Sequence, residues 1–204
     1  MTYPPGTPRY LALGDSYTIG ESVQESLRWP NVLAERLRRR GANIGDVQII
    51  ATTGWTTDEL SVGIDAAKPQ GPFGMVSLLI GVNNQYRGRS VEAFRPEFVA
   101  LLDRAIGFAG GDPKRVFVVS IPDWGVMPFA ADRDRVKIAS EIDAFNVVCR
   151  AESSSKDVKY IDVTPITRGA ATQPSLIADD GLHPSAEQYR RWAEAIDAAL
   201  RPPL

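Results

Sequence analysis

Short apolar runs alternate with longer amphipathic stretches along most of this 204-residue chain, and that alternation constrains the fold more than any other feature. The apolar runs fall at residues 10–13, 47–51, 75–80, 116–121 and 158–163. Segments of helical period lie between and after them, at 29–40, 57–67, 91–108, 132–151 and 185–200. In the first of these, Val32, Leu33, Ala34 and Leu37 fall on one side and the arginines on the other, and Gly41 supplies a stop. The run at 75–80 is almost wholly apolar, as expected of a strand buried on both faces. Pro96 predicts an irregularity in its helix, while Pro184 and the Ser185…Gln188 pair mark the start of the last one.

Strand–helix alternation of this kind predicts an α/β fold: a three-layer α/β/α sandwich around a five-stranded parallel sheet, doubly wound in a flavodoxin-like order. One domain over residues 1–204 is expected. No repeat or linker divides the chain, and Gly110-Gly111-Asp112-Pro113 reads as a turn. In such a sheet, ligands sit beyond the carboxyl ends of the strands, near the reversal of strand order. The loops at those ends are therefore the ones to inspect.

Composition narrows the chemistry. His183 is the single histidine, so a site built on two or more histidine ligands is excluded and no metal or other cofactor is expected. If imidazole acts as a base here, it is that of His183. Cys149 is the single cysteine and lies among apolar residues at helical spacing, which predicts a buried hydrophobe. A net charge of −2 gives no electrostatic case for a nucleic acid or an anionic membrane surface. No apolar stretch reaches the ~18 residues of a spanning helix, so integral membrane association is not expected. The first residues lack a charged region followed by an apolar run, which predicts a cytoplasmic protein. No pattern sets an oligomeric state.

The small and polar residues gather in the inspected loops. Gly14-Asp15-Ser16-Tyr17-Thr18 follows the first strand and Thr52-Thr53-Gly54-Trp55 the second. Gly81-Val82-Asn83-Asn84-Gln85-Tyr86-Arg87 follows the third, and Pro122-Asp123-Trp124 the fourth. Asp179-Asp180-Gly181-Leu182-His183-Pro184 precedes the last helix. Each loop alone could be an ordinary turn or helix cap; their coincidence at one sheet edge is the stronger signal.

Taken together, Gly14-Asp15-Ser16, Gly54, Gly81-x-Asn83 and Asp180-x-x-His183-Pro184 resemble the four sequence blocks of the SGNH (GDSL-type) hydrolases, in the same order. That family comprises esterases, lipases, thioesterases and carbohydrate deacetylases on a flavodoxin-like sheet. The resemblance implies Ser16 as nucleophile, His183 as base and Asp180 as its orienting carboxylate. It implies an oxyanion hole from the backbone amides of Ser16 and Gly54 and the side-chain amide of Asn83. Asn84 stands where the family often has aspartate, which bears on a supporting hydrogen bond.

These residue types suit acyl transfer. A serine hydroxyl needs a neighbouring base to become nucleophilic at neutral pH. Imidazole, with a reference pKa of about 6.5, can take that proton and return it to the leaving alcohol. Uncharged amide donors can be fixed around a developing oxyanion. The expected activity is hydrolysis of a small-molecule carboxylic ester with a short or accessible acyl group. Tyr17, Trp55, Asn84, Tyr86 and Trp124 are candidates for its pocket, with Phe129 near them. Arg87 could meet an anionic group or stand in solvent. The alternative is a non-catalytic flavodoxin-like module holding flavin or phosphate at the loop after the first strand, through Ser16, Tyr17 and Thr18.

Overall fold

The computed structural model describes residues 4–201. Its sheet comprises β1 (Tyr10–Gly14), β2 (Val47–Ala51), β3 (Met75–Leu79), β4 (Val116–Val119) and β5 (Lys159–Ile161). They lie in the order β2-β1-β3-β4-β5, and every pairing is parallel. This is the doubly wound arrangement that the alternation predicts. β1, β3 and β4 are buried along their whole length, whereas the edge strands β2 and β5 are partly exposed. Ser77 interrupts the apolar run of β3, and its hydroxyl is matched by Tyr10 OH at 2.7 Å.

Helices cover both faces. α2 (Trp29–Arg39) packs on α8 (Ala186–Ala199), burying Trp29, Leu33, Leu37, Trp192 and Ile196. α3 (Thr57–Ala67), α5 (Val91–Phe108) and α6 (Arg135–Ser155) pack in a row as the other layer. Three short helices escape the sequence reading: α1 (Ser16–Ile19), α4 (Val82–Tyr86) and α7 (Thr164–Arg168). Each is too short to display a helical period.

Three predicted strands run too long, β3 by one residue and β4 and β5 at their carboxyl ends for one shared reason. Ile121 leaves the ladder because Asn146 of α6 takes both of its backbone groups, accepting from its N–H at 2.8 Å and donating to its carbonyl at 2.9 Å. Val163 likewise donates to the Ser120 hydroxyl at 2.8 Å instead of to a strand. Buried side chains thus replace the neighbouring backbone at that end of the sheet. α6 starts at Arg135 rather than at residue 132 because the Asp134 side chain caps it, accepting from Lys137 N at 2.9 Å. Cys149 is buried on α6, and burial pushes its thiol well above the usual range.

The strand order positions the site. β1 pairs with β2 on one side and with β3 on the other, with Gly14 opposite Ala51 and Leu79. Ser16, Gly54 and Asn83 follow these three residues within a few positions, so all three leave the sheet at the same edge.

Candidate active site

Ser16 is the first residue of α1, directly after β1. Asp15 caps that helix, its Oδ1 accepting from Tyr17 N at 3.0 Å. The Ser16 amide, at the helix N-terminus, has no intrahelical acceptor by its position. The Ser16 hydroxyl makes no hydrogen bond among the described residues. It faces a pocket of about 180 Å3 whose wall also includes Gly54, Asn83 and His183. The four sequence blocks therefore converge on one concavity.

His183 and Asp180 form a tight unit. The carboxylate Oδ1 accepts from the backbone N–H groups of Leu182 at 2.8 Å and His183 at 2.9 Å. Its Oδ2 lies 2.7 Å from His183 Nδ1. Burial pushes the Asp180 carboxyl up, but hydrogen bonds from Ser22, the two amides and the imidazole outweigh it and hold the group well below the ordinary carboxylate range. An ionised carboxylate only accepts, so Nδ1 carries a proton and Nε2 is the nitrogen left for the pocket. The Tyr17 ring meets the imidazole edge-on, with centroids 5.6 Å apart, and confines it from the side.

Gly54 has φ of +88°, a conformation that L side chains rarely adopt. Its carbonyl accepts from Arg87 Nη2 at 2.7 Å, and Arg87 Nη1 donates to Glu59 at 3.0 Å. Arg87 thus holds the Gly54 loop rather than standing free in solvent. At the end of β3, Gly81 has φ of +126°, and a Cβ there would meet Ile121 and Phe94 at 2.8 Å. The chain turns tightly at this point into α4, which carries Asn83. One Asn83 amide hydrogen is donated to Trp55 O at 2.9 Å, which orients the side chain and leaves the second hydrogen for a ligand.

Two pocket expectations need correction. Trp55 does not line the pocket. Its ring lies over Gly63 of α3, where a Cβ would come within 2.1 Å of it, and only its carbonyl serves the site, by holding Asn83. Asn84 is fully buried away from the pocket. It accepts from Thr57 N at 3.1 Å and donates to Thr57 Oγ1 at 2.7 Å, pinning the start of α3. An amide suits this position better than a carboxylate. The Thr57 hydroxyl gives its one hydrogen to Glu97, so its partner at residue 84 must donate.

Tyr17, Tyr86 and Trp124 do line the pocket, together with Phe129. Tyr86, Trp124 and Phe129 form a cluster of rings with centroids 5.3–6.5 Å apart. Trp124 is buried and fixed by Nε1 donating to Gln85 Oε1 at 2.8 Å, whereas Tyr86 and Phe129 stand at the rim. Phe129 N donates to Gly181 O at 3.0 Å, joining this wall to the loop of His183. Thr53, Val82 and Leu182 complete the lining. The residue reading passes over them because each is a side chain of common type beside a better signal. Among the described residues, no three His, Cys, Asp or Glu side chains are grouped to hold a metal ion. Nor is any helix among them long and apolar enough to cross a membrane.

Comparison with known proteins bears on the family and the fold. The model of the GDSL-like lipase/acylhydrolase family matches residues 12–191. No curated protein matches the chain. Among solved structures, TesA superposes with a TM-score of 0.74 at 20% identity, over 96% of this chain and 99% of that one. Axe2, an acetylxylan esterase from Geobacillus stearothermophilus, gives a TM-score of 0.72 at 15% identity, over 95% and 94%. The psychrotrophic esterase EstA from Pseudoalteromonas sp., in a structure inhibited by monoethylphosphonate, gives 0.71 at 16% identity, over 95% and 96%.

Proposed function

The chain belongs to the GDSL-like lipase/acylhydrolase family, and from that premise we propose that it is a serine carboxylic ester hydrolase acting through Ser16, His183 and Asp180. The observation that carries this reading is the convergence of the Ser16 hydroxyl and a carboxylate-anchored imidazole on one pocket. Ser16 Oγ attacks the ester carbonyl while His183 Nε2 takes its proton. Collapse of the tetrahedral intermediate expels the alcohol, which receives that proton, and leaves an acyl-serine. Water, deprotonated by the same nitrogen, then attacks the acyl group and restores Ser16. Asp180 keeps the ring in the tautomer with Nε2 free and stabilises the imidazolium formed in each half-reaction.

The oxyanion is received by the Ser16 and Gly54 amides and the free Asn83 amide hydrogen. Replacing Asn83 with alanine is expected to lower kcat about 100–1,000-fold with little change in KM, because the bond strengthens only as charge develops. Steady-state kinetics on p-nitrophenyl acetate checks this; a loss confined to KM would remove Asn83 from the hole. The pocket is small for a ligand site, below the ~300 Å3 at which such sites usually begin. Together with its aromatic wall, this supports a short acyl group.

EstA's inhibition by a phosphonate suggests the direct test. A fluorophosphonate probe should form one adduct, and peptide mapping by mass spectrometry should place it on Ser16. An adduct on another serine would overturn the assignment.

A further inference from the structure

The residues just beyond the nucleophile helix connect the three loops of the site. The amides of Gly20 and Glu21 both donate to Ser16 O at 3.0 Å, fixing this segment to the nucleophile itself. Glu21 then accepts a hydrogen bond from Thr53 Oγ1, beside Gly54. Ser22 donates its hydroxyl hydrogen to Asp180 Oδ2, the oxygen that also faces His183 Nδ1. No motif in the sequence marks Ser22, and 158 residues separate it from Asp180.

Its backbone is the second observation. Ser22 has φ of +65°, in the left-handed region where L side chains are disfavoured. Glycine would relax that conformation but would carry no hydroxyl. The third observation is the setting of Asp180, whose side chain is 30% exposed at the rim. A carboxylate there can exchange protein partners for water. Oδ1 is held by two amides, whereas Oδ2 has only the imidazole and Ser22. Without Ser22, the oxygen that must face the ring would have water as its second partner.

We infer that Ser22 is a positioning residue that latches Asp180 Oδ2 to the nucleophile loop and thereby holds the His183 ring in line with Ser16. The inference rests on the catalytic reading above, since it assigns Ser22 a part in the same reaction. Ser22 touches neither substrate nor reacting atom and acts through Asp180.

The test uses the full-length protein with Ser22→Gly, which removes the hydroxyl at a φ that glycine favours, and Ser22→Ala as a second variant. Two readouts are taken: the low-field proton NMR resonance of the imidazole Nδ1–H, which is unambiguous because His183 is the single histidine, and steady-state kinetics on p-nitrophenyl acetate. In Ser22→Gly the resonance is expected to move by about 0.5 ppm or more, because the carboxylate no longer shares its charge with a second donor. A fall in kcat of about 5–20-fold is expected with KM within about twofold, as for a group that orients rather than binds. Ser22→Ala should match it in both. Either an unmoved resonance or a kcat within twofold of the parent in Ser22→Gly overturns the latch. Failure of the catalytic reading is a separate event: it appears as activity surviving Ser16→Ala, while the resonance reports on the latch without turnover.

Discussion

Ser16→Ala is expected to lower kcat/KM for short p-nitrophenyl esters at least about a thousand-fold while the protein folds as before. The size of the effect follows from the mechanism. With the hydroxyl gone, no acyl-enzyme can form. The oxyanion donors and the base then act on water alone, and a residual rate of that kind survives when a triad member is removed. The fold should not suffer, for local reasons. The hydroxyl opens on the pocket and makes no hydrogen bond among the described residues, so removing it takes away no native contact. The N-cap bond of α1, from Tyr17 N to Asp15, does not involve the Ser16 side chain. The variant's thermal midpoint should therefore stay close to that of the parent. The pairing of outcomes is diagnostic: activity within tenfold of the parent, in a variant with an unchanged midpoint, would remove Ser16 from the chemistry. A lowered midpoint would instead assign Ser16 a structural part that its contacts do not suggest.

How much of this was readable from the chain varies with the range of the interaction involved. The interior place of β1, β3 and β4 follows from their almost wholly apolar sequences, which leave no polar face for solvent. The ends of β4 and β5 do not follow, since Asn146 and Ser120 capture backbone groups across the fold. The site is legible wherever sequence spacing acts locally, as in Asp180-x-x-His183, where a turn alone brings carboxylate and imidazole together. It is less legible where neighbours in sequence diverge in direction. Asn83 enters the pocket and Asn84 points into the interior, because adjacent side chains on α4 project about 100° apart. Trp55 was expected in the pocket by its nearness to Gly54, yet its ring packs on Gly63. Ser22 carries no signal of its own, because its partner is brought to it only by the complete fold.

His183→Ala is expected to lower kcat/KM by about a thousand-fold or more and to remove the acid limb of the pH–rate profile. In the parent, that limb should rise with a slope of one as pH increases, because only the neutral ring accepts the Ser16 proton. The single-histidine composition leaves imidazole one source for such a limb, but the structure places a second titratable group beside Ser16. Asp15, next to Ser16, is fully buried; desolvation pushes its carboxyl up to about 7, and the hydrogen bond from Tyr17 N only partly offsets this. Its Oδ2 has no partner among the described residues. The two groups differ in sign. Asp15 has a folded-state value above its unfolded value of about 3.9, so between pH 4 and 7 the folded state holds more protons and stability falls as pH rises. Activity instead rises with pH along the acid limb, because only the neutral imidazole accepts the Ser16 proton. Activity and thermal midpoint measured on one pH series should therefore respond to pH with opposite signs, the midpoint falling between pH 4 and 7 through Asp15. Asp15→Asn should flatten the stability trend and keep the acid limb, while His183→Ala should do the reverse. If Asp15→Asn abolished the limb in a folded protein and His183→Ala retained it, the proton acceptor would be the carboxylate beside Ser16, and His183 would lose its assignment as base.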